Sequence, residues 1–139
     1  MVDLSADRRS FVSSLYPDID VTKNLEDIFN DSRIQAVVIA TPVKFHFELS
    51  MRALQSGKHV LVEKPMATTV QEIERIGALA ERNDLLAMVG HTFLYNPAVR
   101  AVKKIIESGE LGDIRYIYSQ RVNLGRIRSD VDALWNLAP

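Results

Sequence analysis

The chain has 139 residues, 47% hydrophobic and 25% charged, with a formal net charge of −1. That balance describes one modest globular domain, and without a basic excess neither nucleic acid nor an anionic membrane is an expected partner. No cysteine occurs, which excludes disulfides and thiolate chemistry and fits a reducing cytoplasm, the expected location. Residues 1–10 are charged and hold no apolar signal-peptide core, no apolar run approaches membrane-spanning length, and no metal site is expected.

In chain order, Val2-Asp3 reads as the last residues of a strand. Ser5 caps a helix over Ala6 to Leu15, which Tyr16-Pro17 ends. Ile19 to Thr22 is a short strand, and Asn24 caps a brief helix carrying Leu25, Ile28 and Phe29. Ile34 to Ala40 is a strand. Pro42 or Val43 opens a helix with Phe45, Leu49, Ala53 and Leu54 as its buried stripe, and Gly57 is its left-handed stop. After a strand from His59 to Val62, Thr69 and Glu72 form a capping-box pattern. Val70, Ile73, Ile76, Leu79 and Ala80 then recur at helical spacing to about Arg82. Leu85 to Val89 is a further strand. Asn96-Pro97 opens a helix with the stripe Val99, Val102, Ile105 and Ile106, and Gly109 stops it. From Ile114 to Leu124 the pattern alternates, as in a half-exposed antiparallel strand of a different sheet.

The apolar runs at 34–40, 59–62 and 85–89 are unbroken, as in parallel strands covered on both faces. Each ends abruptly in polar or proline-containing residues. In open α/β sheets ligands bind at that carboxyl edge, so the chemistry belongs at Thr41-Pro42, Glu63-Lys64-Pro65 and Gly90-His91. His59 begins its strand at the opposite edge and reads as structural.

Four phrases carry a resemblance: Ala-Val-Val-Ile-Ala-Thr-Pro (36–42) with His46 four residues later, Gly-Lys-His-Val-Leu-Val-Glu-Lys-Pro (57–65), Met-Val-Gly-His (88–91) and Leu-Gly-Asp-Ile (111–114). Together they resemble the Gfo/Idh/MocA family of nicotinamide-dependent oxidoreductases over essentially the whole chain. The region from Asn123 to Arg126 and the phrase Trp135 to Pro139 look like members acting on pyranose or nucleotide-linked sugars. The resemblance implies an α/β fold: a Rossmann-like parallel sheet over residues 1–111, then, over 112–139, the start of a substrate domain with an open antiparallel sheet. No G-x-G-x-x-G occurs in the chain. The chain therefore reads as a fragment, truncated at both ends, that lacks the first Rossmann strand and the phosphate loop and is inactive alone. Without that central strand, the Val2 and Ile19 strands have no direct bond to the Ile34 strand.

In such enzymes the lysine of Glu-Lys-Pro lies between nicotinamide and substrate, so Lys64 is the catalytic and substrate-side candidate. A positioned donor or acceptor lowers the barrier when a hydroxyl proton leaves as hydride departs. Glu63 contacts cofactor ribose or orients Lys64, with a structural ion pair as the other reading. Ala40, Thr41 and Pro42 run their backbone past the cofactor, with an ordinary strand-ending turn as the other reading, and His91 is a nicotinamide-side or substrate contact. His46 is a cofactor-side residue by resemblance and a helix-surface histidine by position alone. Asp3 stands where an acid binds adenosine ribose hydroxyls, favouring NAD over NADP, though Arg8-Arg9 leave NADP open. Tyr95 faces substrate. Asn136 occupies the aspartate slot of an Asp-x-x-x-His segment; it can still hydrogen-bond but cannot stabilise an imidazolium by charge. The expected reaction is hydride transfer between a secondary hydroxyl of a sugar or nucleotide sugar and NAD or NADP, in a parent expected to be a homo-oligomer. The rival readings are a non-catalytic dinucleotide- or sugar-sensing protein, an interaction module of the same fold, and a reductase of a non-sugar carbonyl or diene.

Overall fold

The computed structural model describes residues 1–120 together with Trp135. Over residues 1–120, five α-helices and three strands follow one another: α1 (Ala6–Leu15), α2 (Glu26–Phe29), β1 (Ala36–Ile39), α3 (His46–Gln55), β2 (His59–Val62), α4 (Val70–Arg82), β3 (Ala87–Val89) and α5 (Pro97–Glu107). Single turns of 3-10 helix, Val43–Phe45 and Thr92–Tyr95, lead into α3 and α5. The strands form one parallel sheet in the order β1-β2-β3, with Ile39 opposite Val62 and Val62 opposite Val89. This is the Rossmann-like α/β arrangement expected from the sequence.

The helix signals behave as their chemistry requires. Ser5 accepts from the Arg8 N–H to cap α1, and the Asn96 side chain accepts from the Ala98 N–H ahead of Pro97. Thr69 and Glu72 form the reciprocal capping box of α4. Burial raises the Glu72 carboxyl, but hydrogen bonds from Thr68 and Thr69 outweigh it and leave the group below its ordinary value. Gly57 and Gly109 take φ values of 75° and 74° after α3 and α5, a left-handed geometry that costs glycine nothing.

The core lies on one face of the sheet. Ile39, Val60 and Val62 meet Ala53 and Leu54 of α3, Ile76, Leu79 and Ala80 of α4, and Phe29, Met66 and Ala67. The opposite face carries the in-register row Val38, Leu61 and Met88, and all three side chains are exposed, Val38 by 67%. The expectation of a sheet covered on both faces is therefore corrected: among the described residues one face is covered. The α5 stripe of Val99, Val102, Ile105 and Ile106 is likewise exposed rather than buried.

Smaller corrections have local causes. The Ile19–Thr22 strand reduces to a single parallel bridge, Val2 to Thr22, outside the three-stranded sheet. The cap of α2 shifts to Leu25, although Asn24 Oδ1 still accepts from the Glu26 N–H. Phe45 is exposed because the 3-10 turn before α3 changes the helical phase. Its place in the stripe is taken by His46 and Ser50, which join Ala53 and Leu54. Val70, in the first turn of α4, is exposed as well. Residues 114–120 form no strand and expose Ile114, Tyr116, Ile117 and Tyr118, since a strand needs a partner for its backbone groups. Residues 121–124 of that expected strand lie outside the described residues.

The turn into β1 is fixed by Asp31, which accepts from the Arg33 backbone N–H at 2.9 Å and from its guanidinium at 2.6 Å. The Arg33 side-chain hydrogen bonds, then its backbone N–H, lower the Asp31 carboxyl from 3.8 to about 2. A carboxyl depressed on folding contributes stability above its unfolded value, and that contribution is lost as pH falls through the folded one. Urea midpoints are accordingly expected to fall between pH 4 and pH 2, with a shallower slope in Arg33→Ala. Thr69→Ala, which removes the α4 cap, is expected to cost about 1 kcal/mol in the same unfolding measurement.

Candidate functional site

Because the strands are parallel and in register, they finish level. The ladder extends one residue past the assigned ends: the Glu63 N–H donates to Ile39 O at 2.9 Å, and the Gly90 N–H donates to Val62 O at 2.8 Å. Ala40-Thr41, Glu63-Lys64 and Gly90-His91 therefore emerge side by side at the carboxyl edge. Thr41 and Glu63 are exposed there, while Lys64 and His91 are half-buried.

Each loop is built differently. Pro42 has extended backbone, and its carbonyl accepts from the Phe45 N–H as the 3-10 turn begins. The Lys64–Pro65 peptide bond is cis. The His91 N–H closes a tight turn on Val89 O at 2.8 Å. Glu63 lies over Gly90: a Cβ added to Gly90 would stand 3.3 Å from Glu63 Oε2. Glycine at 90 thus lets the carboxylate rest on the backbone of the neighbouring strand.

His46 is not a helix-surface residue. It opens α3, is 1% exposed, and places Nδ1 2.8 Å from Pro65 O and Nε2 2.6 Å from Thr41 O. The ring stands between two of the edge loops with both nitrogens engaged by backbone.

The other candidates lie elsewhere. Asp3 sits on the Val2–Thr22 bridge, where its Oδ1 accepts from the Ser5 N–H at 2.8 Å and Arg8 approaches to 3.6 Å. Arg9 donates to the Asp3 carbonyl at 2.7 Å. Tyr95 is exposed in the 3-10 turn after His91, with the Arg100 guanidinium 5.8 Å from its ring centre. Asn136 lies outside the described residues. Its neighbour Trp135 donates from Nε1 to Ala67 O at 2.7 Å, in the loop after Pro65. Among the described residues no cluster of histidine or acidic side chains could hold a metal, and no helix is long and apolar enough to cross a membrane.

Sequence reasoning missed Lys58, which is 2% exposed and donates from Nζ to Asp31 O at 2.8 Å and to Ile34 O at 2.9 Å. Its neighbour His59 accepts the Leu86 N–H on Nδ1 at 3.0 Å. Lys58 and His59 thus pin the entries of β1 and β3 to the start of β2, the structural role expected of His59. The available signal was a lysine set directly before a buried strand, where the ammonium needs carbonyl partners.

Residues 4–91 match a family described as oxidoreductases with an NAD-binding Rossmann fold, Gfo/Idh/MocA. The chain is 37% identical over 120 residues to the scyllo-inositol 2-dehydrogenase (NADP(+)) IolW of Bacillus subtilis, covering 86% of this chain and 33% of that protein. It is 36% identical over 104 residues to a 1-carboxy-3-chloro-3,4-dihydroxycyclohexa-1,5-diene dehydrogenase of Comamonas testosteroni, covering 75% and 26%. Among solved structures it is similar to KijD10, a 3-ketoreductase of Actinomadura kijaniata in complex with TDP-benzene and NADP. There the identity is 32% and the TM-score 0.72, over 82% of this chain and 36% of that one. The chain spans about a third of the length of the curated relatives it matches.

Lys58→Met is expected to lower stability by about 3 kcal/mol in urea unfolding, because it leaves two carbonyls without their charged donor. Gly90→Ala is expected to displace the Glu63 side chain, read as a shift of the Glu63 amide signal with the core signals unmoved.

Proposed function

This chain belongs to the Gfo/Idh/MocA oxidoreductases, a family with an NAD-binding Rossmann fold, and on that premise we propose that it supplies the reacting edge of an NAD(P)-dependent oxidoreductase. The substrate class is a hydroxylated ring, a sugar or nucleotide sugar, reacting at a secondary hydroxyl. One observation carries the reading: Thr41, Glu63, Lys64 and His91 leave three neighbouring strands at the same level. Support for the substrate class comes from relatives named as inositol and dihydroxycyclohexadiene dehydrogenases and a 3-ketoreductase.

The edge fits a dinucleotide. Small residues, Ala40 and Gly90, end two of its strands, and the Thr41-Pro42 backbone is exposed for close approach. When bound, nicotinamide supplies the hydride acceptor or donor. In this reading Ala40, Thr41 and Pro42 would pass their backbone along the cofactor, Glu63 would contact its ribose, and His91 would lie on the nicotinamide side. Lys64 holds the substrate hydroxyl and takes its proton as hydride leaves, returning it in the reverse direction. Tyr95, in the 3-10 turn before α5, faces substrate, as does Asn136 in a second domain that begins near residue 112.

Cofactor choice turns on Asp3. A carboxylate there suits ribose hydroxyls and NAD, whereas Arg8 and Arg9 beside it suit a 2′-phosphate. The relatives described above give NAD no advantage, since the two described with a cofactor, IolW and KijD10, have NADP. Pyrophosphate anchoring is not assigned to these 139 residues, which carry no glycine-rich phosphate loop, and the chain on its own is expected to show no turnover. A cytoplasmic, homo-oligomeric parent remains part of this reading.

The test uses protein that joins these residues to a phosphate loop and a substrate domain. Lys64→Met should lower kcat about 10²–10⁴-fold, the range of a lost general acid–base, with NADPH fluorescence titrations unchanged. A variant with full turnover would remove Lys64 from the chemistry. A protein with tight ligand binding and no turnover in either form would favour the sensing reading.

A further inference from the structure

Beyond the ladder bond from Glu63 N–H to Ile39 O, no strand pairing connects the loop after β1 with the loop after β2. Those two loops carry Thr41 and Lys64, whose relative spacing decides whether a cofactor on one meets a proton carrier on the other. His46 spans them from below, five residues after Thr41 and nineteen before Pro65, with a ring nitrogen at each carbonyl. We infer that His46 is a positioning residue: its imidazole is a crossbrace that sets the distance between the Thr41 loop and the Lys64–Pro65 loop.

Three features make the ring suited to this work and unsuited to contacting ligand. It is buried, so solvent does not compete for its nitrogens. Its backbone is anchored in turn, since Ser50 Oγ donates to His46 O at 2.6 Å one helical turn along α3. Both partners are carbonyl oxygens, which only accept, so each contact is a hydrogen bond only where the facing nitrogen carries a hydrogen. A neutral ring therefore braces through one bond, and a doubly protonated ring through two.

The inference rests on the oxidoreductase reading only for the consequence of the spacing; the brace itself can be tested without turnover. In the 139-residue chain, lysines labelled by reductive ¹³C-methylation report on Lys64, and amide spectra report on Thr41 and Ala67. His46→Phe keeps an aromatic ring but removes both nitrogens. It should shift the Lys64 methyl, Thr41 and Ala67 signals while leaving Lys103, on α5, in place. His46→Gln restores a side-chain N–H donor group and should bring those signals part of the way back. If the signals of Lys64 and Thr41 in the folded variants coincide with those of the unsubstituted chain, the brace is overturned. Should both variants fail to fold, the unsubstituted chain decides. A His46 ring N–H protected from solvent exchange supports the brace, and a ring with no protected N–H overturns it. Tight ligand binding with no turnover in either the unsubstituted or the Lys64→Met protein would sink the oxidoreductase reading and leave these spectra untouched.

Discussion

Parallel register is the constraint on which the rest of this structure depends. With Ile39, Val62 and Val89 opposite one another, three chain segments must leave the sheet together, and residues far apart in sequence become neighbours. A slip of one residue in β2 would turn every side chain of that strand to the other face. It would expose Val60 and Val62 and carry Lys64 out of line with Thr41. Fold and site are thus set by the same backbone hydrogen bonds.

The register is held from both ends by side chains. At the amino edge, Lys58 grips the carbonyls of Asp31 and Ile34 while His59 receives Leu86 N–H. At the carboxyl edge the His46 ring lies between Thr41 and Pro65. Each device puts a buried polar group where backbone groups would otherwise lack partners, which is why such residues tolerate burial. The core between them is built on one side only, from α3 and α4 against Ile39, Val60 and Val62.

The uncovered side has its own logic. Val38, Leu61 and Met88 form an apolar row across the sheet, and α5 presents an apolar stripe of which no residue is fully buried. Surfaces of this kind favour association or a covering layer over free exposure to water. Among the described residues β1 has a strand partner on one side only, the Val2–Thr22 bridge lying outside the sheet.

Much of this was legible in the linear chain. Caps at Ser5, Thr69 and Asn96, stops at Gly57 and Gly109, and the three apolar runs are local signals, each written within a few residues by backbone chemistry. Strand ends rich in Thr, Pro, Glu, Lys and His pointed to the carboxyl edge for the same reason. What the sequence could not determine was anything set by relative placement. An unbroken apolar run does not say whether a second layer lies over it, so the exposure of Val38 and Leu61 was decided by which helices are present to pack. The phase of α3 was set by one 3-10 turn, which moved Phe45 out and His46 in. Histidine at 46 and lysine at 58 look alike on paper to their exposed counterparts. Only tertiary structure, by bringing carbonyls from 19 to 27 residues away, made them the fastenings of the sheet.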